Sequence, residues 1–224
     1  MYTMQSGDFI YIDFTGRVKD TKEVFDVTDE KVAQKENIYS KKVRYGQIPV
    51  IVDGGFVLKG LDEALLTMKI GDKKTVTITP EKAFGERKTE MIKLMPMATF
   101  KEQNIDPTPG GYVNINNFNG RVISVNGGRV NVDFNHPLAG KSLEYEVEVK
   151  SEVKDLVEKI KCVVGYFLNI DAKDVEVALG EKSAEVKLKG NLDLPGVVKK
   201  RIADTIFKWV KEVEKLRFTD EYSK

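Results

Sequence analysis

The chain has very little cysteine, histidine or tryptophan, with one residue of each among 224. One thiol cannot form an internal disulfide, and a single histidine does not supply the ligand cluster that a transition metal needs. We therefore expect no disulfide framework, no metal site and no cofactor. Cys162 falls within a helical pattern and is interpreted as a small buried side chain. His136, next to Pro137, is interpreted as a structural residue of a turn.

The sequence also lacks an excess of charge of either sign and a long hydrophobic run. The 36 basic residues nearly balance the 35 acidic ones, so bulk charge favours neither nucleic acid nor an acidic membrane as a partner. No run approaches the roughly 20 apolar residues of a membrane span. The first residues, MYTMQSGDFIYID, do not have the pattern of a signal peptide. We therefore expect a cytoplasmic protein that binds neither nucleic acid nor a membrane.

What the sequence does have is a clear helical pattern within residues 53–72, followed directly by a strand pattern. The apolar residues that recur at the spacing of one helix face are Leu61, Ala64, Leu65 and Met68. Asp62 and Glu63 fall in the predicted first turn, where carboxylates suit the helix dipole. Residues 73–79 alternate, as in a half-buried strand. We therefore predict a short helix packed on one face of a sheet.

Three further segments predict the remaining strands of that sheet. Residues 7–17 alternate, and residues 143–149 place three apolar side chains on one face and three glutamates on the other. Residues 45–53 are extended and contain Pro49, which favours an edge position or a strand start. The shared one-sided pattern pairs 143–149 with the strands that precede Phe84. One sheet is therefore predicted to form from two separated pieces of the chain.

Between these pieces lies a segment with strand and turn signals of its own. Short strands are predicted at 112–115, 120–125 and 129–134. Asn-Gly pairs at 119–120 and 126–127 separate these strands and favour tight hairpins. With about fifty residues, the segment has the size of a small independent module. We interpret it as a compact β insertion, with at most a turn or two of helix at 98–104.

A different pattern begins after the last strand of the predicted sheet. It predicts helices within 153–167 and 198–213, two paired strands at 175–179 and 184–188, and a last strand that includes Leu216 and Phe218. No group of residues in this region suggests chemistry. We therefore interpret it as a folding or dimerising module.

Ordered motifs over about two thirds of the chain resemble the FK506-binding peptidyl-prolyl isomerases. They are Asp13-Phe14-Thr15-Gly16, Val24-Phe25-Asp26, Val57-Leu58-Lys59-Gly60-Leu61-Asp62-Glu63-Ala64, Met68-Lys69-Ile70-Gly71-Asp72 and Ala83-Phe84-Gly85. The insertion after Phe84 and the return through residues 134–141 look like the SlyD-like branch, which carries an insert-in-flap chaperone domain. The extra C-terminal region is similar to that of the long-type archaeal members.

The resemblance implies an α+β fold in which a curved antiparallel sheet wraps a short helix. To this FKBP-like domain it adds an inserted small β domain and a C-terminal α+β domain. The implied boundaries are 1–85 plus 135–150 for the isomerase domain, 86–134 for the insert-in-flap chaperone domain and 151–224 for the C-terminal domain.

In this family the space between sheet and helix binds proline, and the resemblance implies which residues line it here. The implied catalytic residues are Phe14, Phe25, Asp26, Phe84 and Tyr145, and the implied substrate-binding residues of the same pocket are Val57, Leu58 and Leu61. Leu58 is expected to offer its backbone N–H to a substrate carbonyl. Leu61 and Phe84 stand where small human-type members have an indole and a tyrosine hydroxyl, which argues against tight macrolide binding.

Two interpretations of these residues stay open at this point. Judged singly, an aromatic residue on an alternating strand is core packing, and only the ordered set favours a pocket. Asp26 either fixes neighbouring side chains by hydrogen bonds or acts directly on the substrate through its charge.

The inserted region is rich in methionine and other adaptable apolar side chains, which suit promiscuous binding. A unit of this size cannot bury all of them, so we predict an exposed apolar patch that holds unfolded chains beside the pocket. The expected substrate-binding residues of this patch are Leu94, Met95, Met97 and Phe100.

The resemblance therefore implies an enzyme that isomerises X-Pro bonds in unfolded or nascent polypeptides, with holdase activity from the inserted domain. The alternative is a non-catalytic chaperone on the same scaffold. A metal-delivery role like that of some bacterial SlyD relatives has no support, because residues 214–224 contain neither histidine nor cysteine. The apolar side chains of the C-terminal domain, including Trp209 and Phe218, allow a homodimer.

Overall fold

The computed structural model describes residues 3–190 and 194–219, and the chain divides into two units. The first unit combines Met1–Ile78 with Leu143–Lys224, and the second is Thr79–Ser142. Helices and largely antiparallel sheets occur in both, and the first unit includes the C-terminal α+β region. The predicted α+β class is therefore confirmed, and the finer division into three domains stays a prediction.

The described residues form the predicted elements in the predicted order, together with short elements at 24–27, 30–35 and 92–96. The strands are β1 Phe9–Val18, β2 Val24–Val27, β3 Ile48–Ile51, β4 Lys73–Ile78, β5 Ile92–Pro96, β6 Tyr112–Ile115, β7 Phe118–Asn126, β8 Arg129–Asp133, β9 Leu143–Glu152, β10 Val175–Gly180, β11 Ser183–Leu188 and β12 Lys215–Thr219. The α-helices are α1 Glu30–Lys35, α2 Lys59–Leu65, α3 Met97–Glu102, α4 Leu156–Leu168 and α5 Gly196–Trp209. Short 3₁₀ turns lie at Pro80–Lys82, Thr89–Met91 and Ala172–Asp174.

The main sheet is antiparallel and is assembled around β1. One side of β1 pairs with β9 along nearly its whole length, and β4 completes the sheet by pairing with β9. The other side pairs with β3 at residues 9–12 and with β2 at residues 15–17, so these short strands share one edge. Because β4 and β9 flank the second unit in sequence, the prediction of one sheet from two separated pieces is confirmed. Pro49 lies in β3, an edge strand as predicted.

The predicted apolar face of α2 is buried, and the helix lies close against the sheet. Leu61, Leu65 and Met68 are each at most 1% exposed. Gly60 permits the close approach, because a Cβ at this position would lie 2.5 Å from Cγ2 of Ile78 in β4. Any side chain here would force Ile78 or the start of the helix to shift.

A buried carboxylate, that of Asp62, ties α2 to the loop that follows β3. Its two oxygens accept the backbone N–H of Asp53 at 2.7 Å and that of Gly55 at 2.9 Å. Burial raises the pKa of Asp62, and these two hydrogen bonds lower it. Asp62 lies in the first turn of α2 as predicted, and it also fixes the path of the chain into the helix.

The core of the C-terminal region extends into the main sheet. β10 and β11 pair antiparallel, as predicted, and β12 runs parallel to β11. Phe9 of β1 and Ile51 of β3 belong to the same buried cluster as Ile160 of α4 and Ile202 of α5. This shared core explains why the C-terminal region and the main sheet form one unit rather than two.

The second unit contains an antiparallel sheet in the order β5-β8-β7-β6, with its own core. Phe100 of α3 is fully buried in this core together with Val122, Val130 and Val132. The hairpin predicted at residues 126–127 joins β7 to β8.

The hairpin predicted at residues 119–120 is wrong. The chain turns instead at Asn116 and Asn117, which both have positive φ, and Gly120 lies inside β7. A Cβ at Gly120 would lie 2.5 Å from Cγ1 of Val132. This glycine therefore serves close packing within the sheet, a role that the Asn-Gly pair does not distinguish from a turn.

Replacing Asp62 with alanine is expected to lower the free energy of unfolding by about 1.5–3 kcal/mol, because two backbone N–H groups lose a charged acceptor. Urea denaturation at neutral pH measures the change. Glu63→Ala, at the neighbouring exposed position of α2, is the matched control and should cost less than about 1 kcal/mol. Equal losses in both variants would show that the Asp62 hydrogen bonds do not stabilise this loop.

Candidate functional site

Two aromatic side chains, Phe14 of β1 and Phe25 of β2, contact the ring of Tyr145 in β9. The ring centroid of Tyr145 lies 5.5 Å from that of Phe14, at an interplanar angle of 55°, and 5.8 Å from that of Phe25, at 80°. Tilted and edge-on contacts of this kind are favourable for aromatic rings. Gly16 leaves room for them, because a Cβ there would lie 2.9 Å from Cζ of Tyr145. Predicted site residues from three separate strands are therefore brought together.

The backbone of Phe14 is held by Thr28, a buried polar residue in the loop after β2. Thr28 Oγ1 accepts the N–H of Phe14 at 3.0 Å and donates to Oδ1 of Asp13 at 3.0 Å. The Thr28 N–H donates in turn to the Phe14 carbonyl at 3.0 Å. Thr28 thus fixes the place of the aromatic side chain on β1.

The carboxyl group of Asp26 meets the hydroxyl of Tyr145, which donates a hydrogen bond to it. Burial raises the pKa of Asp26, and hydrogen bonds from the Val27 N–H and from Tyr145 lower it. Asp26 as a whole is exposed, so this burial concerns the carboxyl end that meets the tyrosine. Burial and the Asp26 charge also raise the pKa of Tyr145. Of the two open roles for Asp26, this contact supports the fixing of a neighbouring side chain.

The residues predicted to bind substrate from the helix side lie at the start of α2. Leu61 is 1% exposed, and Val57 and Leu58 are half-buried. Leu58 is the N-cap residue, and its carbonyl accepts the N–H groups of Leu61 and Asp62, both at 2.9 Å. The backbone at Leu58 is therefore fixed, while the contact of its N–H with a substrate stays a prediction.

Phe84 and His136 belong to the second unit and stack on each other. Their ring centroids are 4.2 Å apart and their planes are inclined by 4°. His136 Nδ1 accepts the N–H of Leu138 at 3.2 Å, as suits a structural residue of a turn. The expected contribution of Phe84 to the pocket of the first unit stays a prediction.

The predicted binding residues of the insert do not all lie on its surface. Phe100 is fully buried, so its expected place in an exposed patch is wrong. The physical reason is that a module of this size needs its bulkiest side chains for a core of its own. Leu94 is 59% exposed, and Met95 and Met97 are half-buried against that core.

Two exposed aromatic residues of the insert were missed by the sequence analysis. Tyr112 is 68% exposed and Phe118 is 66% exposed. They are the first residues of β6 and β7, the two strands of one hairpin. The misplaced turn concealed Phe118, because a turn at residues 119–120 would end a strand beside it. The alternation of β6 was the signal that could have identified Tyr112, since Val113 and Ile115 face the core.

The C-terminal region contacts the loop between β3 and α2, which the sequence analysis did not anticipate. The Tyr166 hydroxyl donates to the Phe56 carbonyl at 2.8 Å, and their ring centroids are 4.4 Å apart. Phe167 adds an edge-on contact to Phe56, with centroids 6.3 Å apart. The loop that leads into Val57 and Leu58 is therefore held by α2 on one side and by α4 on the other.

Within the described ranges, no group of three or more histidine, cysteine, aspartate or glutamate residues is arranged to hold a metal ion. None of the helices in these ranges is long and apolar enough to cross a membrane. Cys162 is a buried free cysteine, and its Sγ donates to the Tyr11 hydroxyl at 3.3 Å. Burial raises the pKa of this thiol, as suits a packed side chain rather than a nucleophile.

An antiparallel sheet built from two separated pieces, one short helix against it and aromatic side chains converging from three strands define an FKBP-like domain. Comparison with protein families extends this assignment beyond the main sheet. The family described as "FKBP26, IF domain" matches residues 93–138. The family described as "FKBP26_C-terminal" matches residues 156–223.

Curated proteins similar to the chain are prolyl isomerases by name. The short-type peptidyl-prolyl cis-trans isomerase of Methanocaldococcus jannaschii is 35% identical over 147 residues, 66% of this chain and 92% of that protein. The probable FKBP-type 16 kDa peptidyl-prolyl cis-trans isomerase of Pseudomonas fluorescens is 39% identical over 103 residues, 44% and 67% of the two chains. For SlyD of Vibrio cholerae the identity is 36% over 103 residues, 42% and 48%.

The chain therefore belongs to the FKBP-type peptidyl-prolyl cis-trans isomerases, a family of enzymes. Its inserted and C-terminal regions match the long-type architecture, so the predicted family is confirmed.

Replacing Tyr145 with phenylalanine removes a hydrogen bond that lowers the pKa of Asp26, so we expect this pKa to rise further. Because the folded-state pKa already exceeds the unfolded value, the native state binds the proton first as pH falls. This carboxyl group therefore adds to the free energy of unfolding as pH drops through its folded-state pKa. In the variant, that gain begins at a higher pH.

NMR titration of the Asp26 carboxyl carbon and urea denaturation across the acid range measure these two effects. Tyr11→Phe is the matched control, because the Tyr11 hydroxyl contacts Cys162 instead. An unchanged Asp26 pKa in Tyr145→Phe would mean that the tyrosine hydroxyl does not act on this carboxyl group.

Proposed function

We propose that the chain catalyses cis/trans isomerisation of X-Pro peptide bonds in unfolded or partly folded polypeptides. The observation that carries the proposal is the convergence of Phe14, Phe25 and Tyr145 on the FKBP-like sheet. Apolar walls with a few placed polar groups are typical of small-ligand pockets, and a proline ring suits such walls. The proposed pocket is completed by Val57, Leu58, Leu61 and Phe84.

A pocket of this kind can accelerate isomerisation without a nucleophile. Rotation about a peptide bond has a barrier of about 18–20 kcal/mol. Uncatalysed prolyl isomerisation takes roughly tens to hundreds of seconds. The planar amide is more polar than the twisted one, so an apolar wall that excludes water removes solvation that favours the planar form. Contacts with proline and its neighbours that are strongest in the twisted form lower the barrier further.

The residues divide this work between them. The aromatic walls are Phe14, Phe25, Phe84 and Tyr145, and Leu61 forms the floor. The Leu58 N–H binds a substrate carbonyl and so orients the chain beside proline. Asp26 is a positioning residue, because its hydrogen bond fixes the Tyr145 ring that forms a wall.

Exchange NMR of a short Ala-Leu-Pro-Phe peptide, with a catalytic amount of the full chain, tests the proposal. Exchange well above the uncatalysed rate supports an enzyme whose pocket acts by itself. No acceleration by folded protein would favour the alternative function, a non-catalytic chaperone on an FKBP scaffold.

Phe84→Ala is expected to lower the catalysed rate on this peptide about tenfold, or about 1.4 kcal/mol, because one wall of the pocket is removed. Phe207→Ala is the matched control, since it removes the same ring from an exposed position on α5. Turnover by Phe84→Ala at the wild-type rate would show that Phe84 does not line the pocket.

We propose further that the second unit acts as a holdase for unfolded chains. Support comes from its exposed apolar side chains, above all Leu94 on β5, Tyr112 on β6 and Phe118 on β7, and from the half-buried Met95 and Met97. Exposed apolar surface of this kind is typical of interaction sites. Because both units belong to one polypeptide, a client held there meets the pocket at a raised effective concentration, which speeds isomerisation of proteins more than that of short peptides.

The triple variant Leu94→Ser/Tyr112→Ser/Phe118→Ser is expected to reduce kcat/KM on an unfolded protein substrate about tenfold or more, because the tethering contact is lost. Proline-limited refolding of a client and suppression of its aggregation measure this effect. The control triple Val43→Ser/Ile70→Ser/Phe207→Ser removes exposed apolar side chains outside the second unit. A loss of the same size in both triples would contradict a specific holdase surface.

The proposed partners are proline-containing unfolded or nascent polypeptides, and the proposed location is the cytoplasm, where a free thiol such as Cys162 is stable.

A homodimer through the C-terminal domain also stays a proposal. Trp209 and Phe218 are half-buried against the core of their own unit, and the side chain of Leu179 in β10, which is 46% exposed, supports the homodimer instead. Sedimentation of the full chain as a monomer at all concentrations would overturn it.

A further inference from the structure

A cleft in the first unit lies between the loop after β3 and the two helices of the C-terminal region. Its volume is about 410 Å³, within the range of about 300–1,000 Å³ that is typical of ligand pockets. Aromatic side chains form much of its wall, and they are Phe56, Tyr166, Phe167 and Trp209. Tyr166 is 37% exposed, so part of this aromatic surface is open to a ligand.

The cleft carries an excess of positive charge. Lys200, Arg201 and Lys208 line it, against the single carboxylate of Asp204. In the described part of the chain, none of these three cations forms an ion pair within 4 Å. Lys200 and Arg201 belong to a short basic tract of the sequence, residues 199–201, and the fold places both in the lining of this cleft.

The guanidinium of Arg201 lies over an aromatic ring of the cleft. Its Cζ lies 5.2 Å from the ring centroid of Phe167, and Lys208 lies over Trp209 at 4.5 Å. A guanidinium stacked on a ring keeps its N–H edge free to bind a carboxylate through two parallel hydrogen bonds. The cleft therefore combines a preorganised carboxylate receptor with apolar surface for the stem of the side chain.

We propose that this cleft binds an acidic segment of the client polypeptide, flanking the proline that is being isomerised. This inference rests on the proposed function. Leu58 follows Phe56 by two residues, so the proposed proline contact and the wall of the cleft lie within about 7 Å along the chain. An extended client anchored at Leu58 therefore reaches the cleft with residues only a few positions away.

The chain itself supplies the probe for a test, because Trp209 is its only tryptophan and lines the cleft. Two peptides share an Ala-Leu-Pro-Phe centre and differ in flanking Glu-Glu or Gln-Gln on both sides. Titration of the full chain should show that the Glu peptide changes Trp209 fluorescence at an at least fivefold lower concentration. This preference should shrink as salt is raised, because the contact is electrostatic.

The double variant Lys200→Gln/Arg201→Gln should lose most of this preference, because Lys208 is then the one cation left among the residues that line the cleft. The control double variant Lys199→Gln/Lys211→Gln changes the net charge equally at positions that do not line the cleft, and it should keep the preference. Equal binding of the two peptides by the wild type, or an undiminished preference in Lys200→Gln/Arg201→Gln, would overturn the proposal.

Two other occupants are distinguished by the same readout. A single-stranded oligonucleotide that changes Trp209 fluorescence at a lower concentration than the Glu peptide would show that the cleft binds phosphate groups. This result would overturn the proposal. A change in Trp209 fluorescence with protein concentration, in the absence of any peptide, would show that the cleft binds a second copy of the chain. This result would also overturn the proposal. Exchange NMR on the Gln peptide separately reports whether the proposed isomerase function holds.

Discussion

The pair of hydrogen bonds accepted by the Asp62 carboxylate is the constraint on which the rest of the proposed site depends. α2 has only seven residues, too few to be stable alone, so its place is set by what it contacts. Asp62 binds Asp53 and Gly55, while Leu61 and Leu65 are buried. The same loop carries Phe56, to which the C-terminal region is attached. Sheet, helix and C-terminal region therefore meet at one short loop.

On the sheet side, the site depends on small and polar residues that leave or create room for aromatic ones. Gly16 makes space for Tyr145, and Thr28 holds the backbone of Phe14. The Asp26 carboxylate accepts a hydrogen bond from the Tyr145 hydroxyl, so the tyrosine ring has a fixed orientation. Catalysis by an apolar wall requires such rigidity, because the wall must favour one geometry of the amide over another.

The second unit shows where reasoning from sequence stops. Its apolar residues were recognised, but their division between core and surface was not, and Phe100 proved to be core while Phe118 is exposed. The hairpin at residues 126–127 was predicted correctly, whereas Gly120 proved to be a packing position inside β7. A glycine that permits close packing and a glycine that permits a turn have the same local sequence, and only the neighbouring strand distinguishes them.

The sequence by itself determined the order and type of most elements, the two-piece sheet and the family, because periodicity and ordered motifs are properties of the local chain. It also identified Phe14, Phe25 and Tyr145 as candidates for one site. Only the tertiary structure decided how Asp62 holds the loop and that Tyr166 contacts Phe56. It also decided that cations of α5 line the same cleft as Phe56. These contacts join residues far apart in sequence, and their partners are chosen by the packing of whole elements rather than by any local pattern.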